Sequence, residues 1–156
     1  MDILLLVVGK TGISYIREGI SEYCKRLSRY LPYQIVELPD HRKGRLSEAE
    51  QKEAEADMIL KSISATDYVV LLDERGREYT SREFAASLEK IMGSGRKRAV
   101  YVVGGPYGFS QRVYDRSDAM LSLSRMTFNH EMVRLFFTEQ LYRGVSILNG
   151  LPYHHD

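Results

Sequence analysis

Short runs of almost unbroken apolar residues constrain the fold of this chain more than any other feature. Three of them cover residues 2–8, 68–72 and 99–103, and each is followed by a segment with helical spacing. Strands this apolar are buried on both faces, as in a parallel sheet that helices cover on each side. Shorter strands are predicted at residues 34–38 and 119–123.

Helical patterns fill the intervals between these strands. Helices are predicted at residues 14–29, 47–62, 80–92, 110–116 and 130–148, and a turn is predicted at 73–76. Two of the helices begin with a hydroxyl residue followed three residues later by Glu, the spacing of a capping box. The alternation of strands and helices predicts an α/β protein with a mainly parallel sheet and helices on both faces. Because 156 residues are too few for two well-buried cores, we expect a single domain, 1–156.

Composition excludes several classes of protein. The first apolar run is too short for a signal peptide or a membrane span, so we expect no membrane association. Cys24 is the only cysteine, which excludes an internal disulfide and fits a reducing, cytoplasmic compartment. At helical spacing with Ile16, Ile20 and Leu27, it is expected to be a small buried apolar group. The scattered histidines have no metal-ligand spacing, so no metal is expected.

Charge is unevenly distributed along a nearly neutral chain. Residues 1–46 hold eight Lys and Arg against five acids, residues 47–95 hold six against eleven, and residues 96–155 hold eight against four. Two basic thirds therefore flank an acidic middle, so a basic face is compatible with the net charge of +1. A polyanion-binding face and an ordinary solvated surface both fit this distribution.

Loops at the carboxyl ends of the strands are the candidate ligand sites, because open parallel sheets bind ligands there. Three are predicted: the turn after Leu72, the loop 104–108 and the loop 123–128. Glycines at 104, 105 and 108 allow tight turns and close approach of backbone to a ligand. On its own such a loop is more often a strained turn than a cofactor site. It lacks the G-x-G-x-x-G spacing, and no G-x-S-x-G nucleophile elbow exists.

Several longer segments resemble the ribosomal large-subunit pseudouridine N3-methyltransferase family of the SPOUT, or α/β-knot, class. The resemblance covers essentially the whole chain. It rests on ILLLVVGK, EYCKRL, YQIVELPD and VVLLDERG, and most specifically on VVGGPYGFS, LSLSRMTFNHEMVRLFFTEQLYR and the final PYHH.

That resemblance implies a C-terminal trefoil knot, in spite of the general rarity of knots, and a site for S-adenosylmethionine among the knot loops. The implied donor-binding residues are Leu72, Gly104, Gly105, Gly108, Leu123, Ser124, Arg125, Met126, Thr127 and Phe128. An apolar slot edged by backbone amides suits an adenine, and neutral carbonyls suit a sulfonium.

The implied reaction is methyl transfer to N3 of a pseudouridine in 23S rRNA of assembled ribosomes, by a homodimer whose active site uses both subunits. N3 must lose its proton, and imidazole is the side chain that titrates near neutral pH. His130 and His154 are therefore candidate bases, and His130 is alternatively a cap of the last helix.

Arg143 is a further catalytic candidate, and Arg134, Tyr142, Tyr153 and His154 are candidate RNA contacts. Arginines hold phosphates, and aromatic rings stack on unpaired bases. Arg143 has a rival interpretation as an ion pair with Glu139, four residues earlier on the helix. The basic loop 42–45 is expected to add phosphate contacts.

The chain departs from the family pattern in two places. Asn129 stands where relatives commonly have Pro, and Asn is expected to cap the last helix. The ending His-His-Asp lacks a basic residue after the first His, which weakens the expected terminal RNA contact. Two rival functions remain at this point: a dinucleotide-dependent oxidoreductase and a catalytically silent RNA-binding module.

Overall fold

A computed structural model describes residues 1–40 and 46–156 of the chain. The predicted basic loop 42–45 lies outside these described residues. The elements follow in the order β1 (Asp2–Val8), α1 (Ser14–Leu27), β2 (Tyr33–Leu38), α2 (Glu48–Lys61), β3 (Tyr68–Arg77), α3 (Ser81–Met92), β4 (Arg98–Val103), α4 (Gln111–Arg116), β5 (Ala119–Leu121) and α5 (Met132–Leu148).

The strands form one sheet in the order β2-β1-β4-β3-β5, and every pairing within it is parallel. Side chains alternate between two apolar layers, and β1, β4 and the first part of β3 are buried on both faces, whereas the edge strands β2 and β5 are only partly buried. Helices α1, α3 and α5 pack together on one face, and α2 and α4 pack on the other. The predicted α/β architecture is confirmed.

Helix starts follow the predicted capping chemistry. The hydroxyl of Ser47 accepts a hydrogen bond from the Glu50 amide at 3.1 Å. Thr80 and Glu83 form a complete capping box, in which each side chain accepts from the other residue's backbone amide. Cys24 is only half-buried, so the expectation that it is a buried core group is wrong.

The predicted turn at residues 73–76 is wrong, because β3 continues through these residues to Arg77. The pairing of β3 with β5 shifts register between Leu72 and Arg77. A Cβ on Gly76 would lie 2.6 Å from the backbone nitrogen of Leu121, so the close approach of the two strands requires glycine. β5 ends at Leu121, two residues earlier than predicted, and leaves 122–131 as a long loop.

Candidate ligand cleft at the carboxyl edge of the sheet

A cleft of about 770 Å³ opens at the carboxyl ends of β3, β4 and β5. Three segments form its walls: residues 72–75 within β3, residues 103–108 from the end of β4 into the next loop, and residues 121–128 from the end of β5 into the next loop. His130, just before α5, and Val133, in its first turn, close one side. Its size lies in the range of small-molecule sites. The cleft is therefore where the sequence predicts a ligand.

Nine of the ten residues predicted to bind the donor line this cleft: Leu72, Gly104, Gly105, Gly108, Leu123, Ser124, Met126, Thr127 and Phe128. Arg125 is the exception. Its side chain is 91% exposed and pairs with Glu78 at 3.2 Å, so it points away from the cleft and cannot contribute side-chain contacts there. Residues 50 positions apart in sequence thus converge because β3, β4 and β5 are neighbours in the sheet.

The middle loop is shaped by a tight turn and by a buried acid behind it. The Gly108 amide donates to the Gly105 carbonyl at 3.1 Å, which closes the turn. Glu55 of α2 is buried against Gly105, and a Cβ at that position would overlap the Glu55 carboxylate. Gly105 is therefore required by the protein behind the loop as well as by any ligand in front of it.

The last loop is held by short-range hydrogen bonds. The Ser122 hydroxyl donates to the Ser124 carbonyl at 3.0 Å, and the Ser124 hydroxyl accepts from the Met126 amide at 3.0 Å. The Asn129 carboxamide oxygen accepts from the amides of Glu131 and Met132 at 2.8 and 3.4 Å, just before α5. Glu131 occupies the N-cap position of α5 and makes no side-chain capping hydrogen bond, so the expectations that Asn129 or His130 would be the N-cap are wrong. α5 accordingly begins at Met132, two residues later than predicted.

Glu131 links this last loop to the start of α1. One of its carboxylate oxygens accepts from the amides of Gly12 and Ile13, at 2.6 and 3.0 Å. These hydrogen bonds outweigh the effect of burial and hold the pKa of Glu131 below its usual value, with the Ile13 amide the largest cause. The carboxylate therefore satisfies amides at a helix N-terminus more than 100 residues away in sequence.

An anionic group in the cleft was not predicted from the sequence. The Asp73 carboxylate accepts from the Tyr114 hydroxyl and from the Arg75 amide, the latter at 2.8 Å. Burial raises the pKa of Asp73, but these hydrogen bonds outweigh burial and hold it below its usual value. Among the described residues of the lining, Glu48 and Glu74 are also acidic and Arg75 is the only Lys or Arg, so this part of the lining is predominantly acidic. Asp73 directly follows the buried part of β3, a signal that could have identified it.

Arg134 was predicted to bind RNA, and the structure contradicts that role. Its side chain is 1% exposed and donates to the carbonyls of Val8 and Gly9 at 2.9 Å and to the Thr11 hydroxyl at 2.8 Å. A buried guanidinium with these partners anchors α5 to the carboxyl end of β1.

A second cluster joins the end of α5 to the C-terminal segment 149–156. Arg143 donates to Glu139 at 2.7 Å and lies 3.1 Å from Nδ1 of His154. The Tyr153 hydroxyl donates to Glu139 at 2.8 Å, and its ring packs edge-on against Tyr142 at 4.8 Å. The ion pair considered for Arg143 is present. We call these five residues the α5–tail cluster.

The two candidate histidines have different surroundings. His130 is half-exposed, and its ring lines the cleft. His154 is 10% exposed and has a partner at each ring nitrogen, Arg143 at Nδ1 and Asp156 at Nε2, 2.9 Å away. Because Arg143 can only donate, Nδ1 of a neutral His154 accepts and Nε2–H donates to Asp156. His154 thus has no free lone pair in this arrangement.

The protein is an α/β protein with a parallel sheet and a ligand cleft formed by β3 and by the loops after β4 and β5. Sequence comparisons specify its family. The profile of a family described as "Predicted SPOUT methyltransferase" matches residues 1–154. The chain therefore belongs to the SPOUT methyltransferase family. The trefoil knot expected from the resemblance follows from this membership.

Relatives and a solved structure agree with the assignment. The chain is 52% identical over the full length of both chains to the ribosomal RNA large subunit methyltransferase H of Parabacteroides distasonis. It is 49% identical, over 99% of both chains, to the protein of that name in Flavobacterium johnsoniae. A probable methylase family protein from Haemophilus influenzae Rd KW20 shares the fold, with a TM-score of 0.52, 15% identity, and coverage of 99% of this chain and 70% of that one.

The described part of the chain contains neither a membrane-spanning helix nor a metal-binding cluster of side chains. None of its helices is both long and apolar enough to cross a membrane. Residues 1–40 and 46–156 also hold no group of three or more His, Cys, Asp and Glu side chains that could bind a metal ion.

Proposed function

We propose that this chain transfers a methyl group from S-adenosylmethionine to N3 of a pseudouridine in 23S rRNA of the large ribosomal subunit. The observation that carries the proposal is the convergence of nine predicted donor-binding residues on one cleft. The relatives named as large-subunit rRNA methyltransferases, at about half identity over full length, supply the substrate class.

Cleft chemistry fits the proposed donor. Leu72, Leu123 and Val103 offer an apolar slot for adenine, and the glycine loop exposes backbone groups at its edge. S-adenosylmethionine carries a sulfonium and an ammonium against one carboxylate, so its net charge is positive. An acidic lining that includes Asp73 favours such a ligand over an anionic dinucleotide.

His130 is the proposed proton acceptor, because it lines the cleft and, among the described residues, only Glu131 lies near one of its ring nitrogens, 3.9 Å from Nε2. The bound donor supplies an electrophilic methyl carbon. The N3–H proton passes to His130 as the N3–methyl bond forms and the sulfur–methyl bond breaks, which leaves a neutral thioether. Most of the rate enhancement is expected from positioning, which contributes up to roughly 7–11 kcal/mol in well-aligned sites.

The α5–tail cluster is proposed to act from a second copy of the chain. None of its members lines the donor cleft of its own chain. A homodimer that placed Arg143, Tyr153 and His154 of one protomer at the cleft of the other would combine a cation and a stacking ring beside the target base. In this arrangement His154 holds Arg143 in place and is a positioning residue.

Phosphate contacts are expected from exposed cations at the rim, including Arg125, whose side chain points to solvent. The basic loop 42–45 is proposed to add to them. Because the net charge is only +1, binding is expected to depend on a large preassembled surface, in line with action on ribosomes in the cytoplasm. All these contacts would belong to one domain, 1–156.

The test is transfer of tritium from labelled S-adenosylmethionine to ribosomes that lack the modification, with free 23S rRNA in parallel. Label is expected in the ribosomal sample at a single pseudouridine, and little in free rRNA. The His130→Gln variant should lose at least tenfold in kcat and recover part of it at higher pH, where N3 ionises without a base. No transfer to either substrate would refute the proposal, and NAD(H) binding without S-adenosylmethionine binding would favour an oxidoreductase.

A further inference from the structure

A second large cavity lies apart from the donor cleft. It is a groove of about 740 Å³ between α3 and the exposed face of β3 and β5, and the two cavities share only Leu121. We call it the tyrosine groove, because Tyr68, Tyr79 and Tyr101 line it. Neither the proposed donor site nor the α5–tail cluster uses these tyrosines.

The floor of the tyrosine groove is apolar except for one hydroxyl. Val70, Phe84 and Ile91 line the floor, and the Tyr101 ring packs against Phe137 at 4.7 Å. Tyr101 is 1% exposed, and its hydroxyl has no hydrogen-bond partner among the described residues. The hydroxyl is not among the fully buried side-chain atoms that lack a partner, so it is accessible from the groove, where a ligand can accept its hydrogen bond.

Burial of Tyr101 keeps its hydroxyl protonated. Burial, with smaller effects from the neighbouring Tyr68 and Tyr79 phenols, raises the pKa of Tyr101 well above its usual value. Tyr101 therefore remains a neutral hydrogen-bond donor throughout the physiological pH range. Its partner must be an acceptor, which favours an oxygen of an anionic or carbonyl group.

The charged residues at the rim of the groove also favour a negatively charged ligand. Arg77, Lys90 and Glu83 are the charged residues that line the groove. Glu83 is engaged with the Thr80 amide in the capping box, and Arg77 lies 4.8 Å above the Tyr79 ring. Lys90 has no ion pair with a described residue. The rim thus offers an uncommitted cation next to flat aromatic walls.

We propose that the tyrosine groove is a binding site for a small, planar aromatic molecule that carries one negatively charged group. The rings of Tyr68 and Tyr79 and the apolar floor contact the planar body, the Tyr101 hydroxyl donates to one of its oxygens, and Lys90 attracts its charge. The volume is that of sites for drug-sized ligands with a few polar anchors. The proposal is independent of the methyl-transfer reaction.

A pair of naphthalene probes tests both parts of this ligand description. 1-Anilinonaphthalene-8-sulfonate carries the anionic group, and N-phenyl-1-naphthylamine has the same rings without it. Fluorescence titration of the full chain is expected to give one site per chain, with the sulfonate bound at least tenfold more tightly. Equal affinity for the two probes, or no saturable site, would overturn the proposal.

Three substitutions locate the site. Tyr101→Phe removes only the hydroxyl and should weaken sulfonate binding about fivefold to tenfold, without lowering the midpoint of urea unfolding. Lys90→Gln should weaken the sulfonate about threefold and leave the neutral probe unaffected. Ala86→Trp, on the groove wall, should abolish binding of both probes.

Matched controls lie on α2, away from the tyrosine groove. Lys61→Gln and Ala49→Trp change exposed residues of the same types and should leave both affinities unchanged. If a second copy of the chain covers the groove instead, probe binding will fall as protein concentration rises, and this result would contradict the proposal. If the groove variants behave like their controls, the probes bind elsewhere and the site assignment is wrong.

Discussion

The donor cleft and the α5–tail cluster are built in opposite ways. The cleft is lined largely by glycines and by small or apolar side chains at the ends of three neighbouring strands, and it leaves a volume of about 770 Å³ open to a ligand. The α5–tail cluster consists of side chains that already bind one another, including both nitrogens of His154. A surface with unused hydrogen-bonding groups is suited to taking up a ligand, whereas an internally satisfied cluster is suited to holding a few groups in fixed positions.

Sequence patterns predicted these two regions unequally, for a physical reason. The order of the strands predicted a ligand site at their carboxyl ends, and the resemblance to the SPOUT family, not the glycines alone, implied which residues bind the donor. Arg134 and Arg143 look alike in sequence, since both are arginines on one helix. Both have an acidic partner, but the Arg134 side chain is 1% exposed and the Arg143 side chain is 25% exposed, and only the three-dimensional packing separates them.

Other features depend on contacts that no local pattern encodes. Glu55 behind Gly105, Glu131 at the start of α1 and the unpaired hydroxyl of Tyr101 arise from residues far apart in the chain. Asp73 was missed because the residues after Leu72 were predicted to be a turn, although they extend β3. The fold was therefore predictable from apolar periodicity, and the polar partners inside it were not.

Arg134→Met is expected to have the largest effect on stability, because it leaves the Val8 and Gly9 carbonyls buried without their donor. The free energy of unfolding should fall by about 3 kcal/mol or more, measured by urea denaturation. Arg17→Met, at an exposed position of α1, should change it by less than about 0.5 kcal/mol. If Arg134→Met instead keeps full stability and loses only RNA binding, the phosphate role predicted from the sequence is correct.

Gly105→Ala tests whether Glu55 leaves no room for a side chain at position 105, in the middle loop of the cleft. The added methyl overlaps the Glu55 carboxylate, so stability should fall by about 1–3 kcal/mol and donor affinity at least tenfold. Combining it with Glu55→Ser should recover part of the loss, with a coupling energy above about 0.5 kcal/mol in a double-mutant cycle. Strict additivity would show that the two residues do not interact.

Asn129→Ala probes the hydrogen bonds that hold the last loop at α5. Loss of the carboxamide acceptor leaves the Glu131 and Met132 amides without it, which should cost about 1 kcal/mol of stability. The comparison variant is Asn149→Ala, at the other end of α5. Thermal unfolding of the two variants will show whether the loss of stability is specific to the loop. A larger loss for Asn149→Ala would contradict this account of the loop.

The smallest expected effect concerns the ion pair between Arg82 of α3 and Asp156 of the C-terminal segment. Hydrogen bonds from Arg82 and His154 lower the pKa of Asp156 to about 2. Because the folded-state value lies below the unfolded one, this contact stabilises the segment above about pH 4 and is lost as pH falls towards 2. Carboxyl NMR titration should show the pKa of Asp156 return towards its ordinary value in Arg82→Gln. An unchanged pKa would mean that the ion pair does not form in solution.

Calorimetric titration with S-adenosylmethionine tests most directly the claim that the cleft at 72–75, 103–108 and 121–128 holds the methyl donor. Thr127 lines the cleft and is exposed, so Thr127→Trp fills the site without disturbing the core. Thr66→Trp makes the same change at an exposed position outside the cleft lining. The account predicts one donor bound per chain in the wild type and Thr66→Trp, and at least a hundredfold loss of affinity in Thr127→Trp. Equal affinity in all three proteins would contradict it.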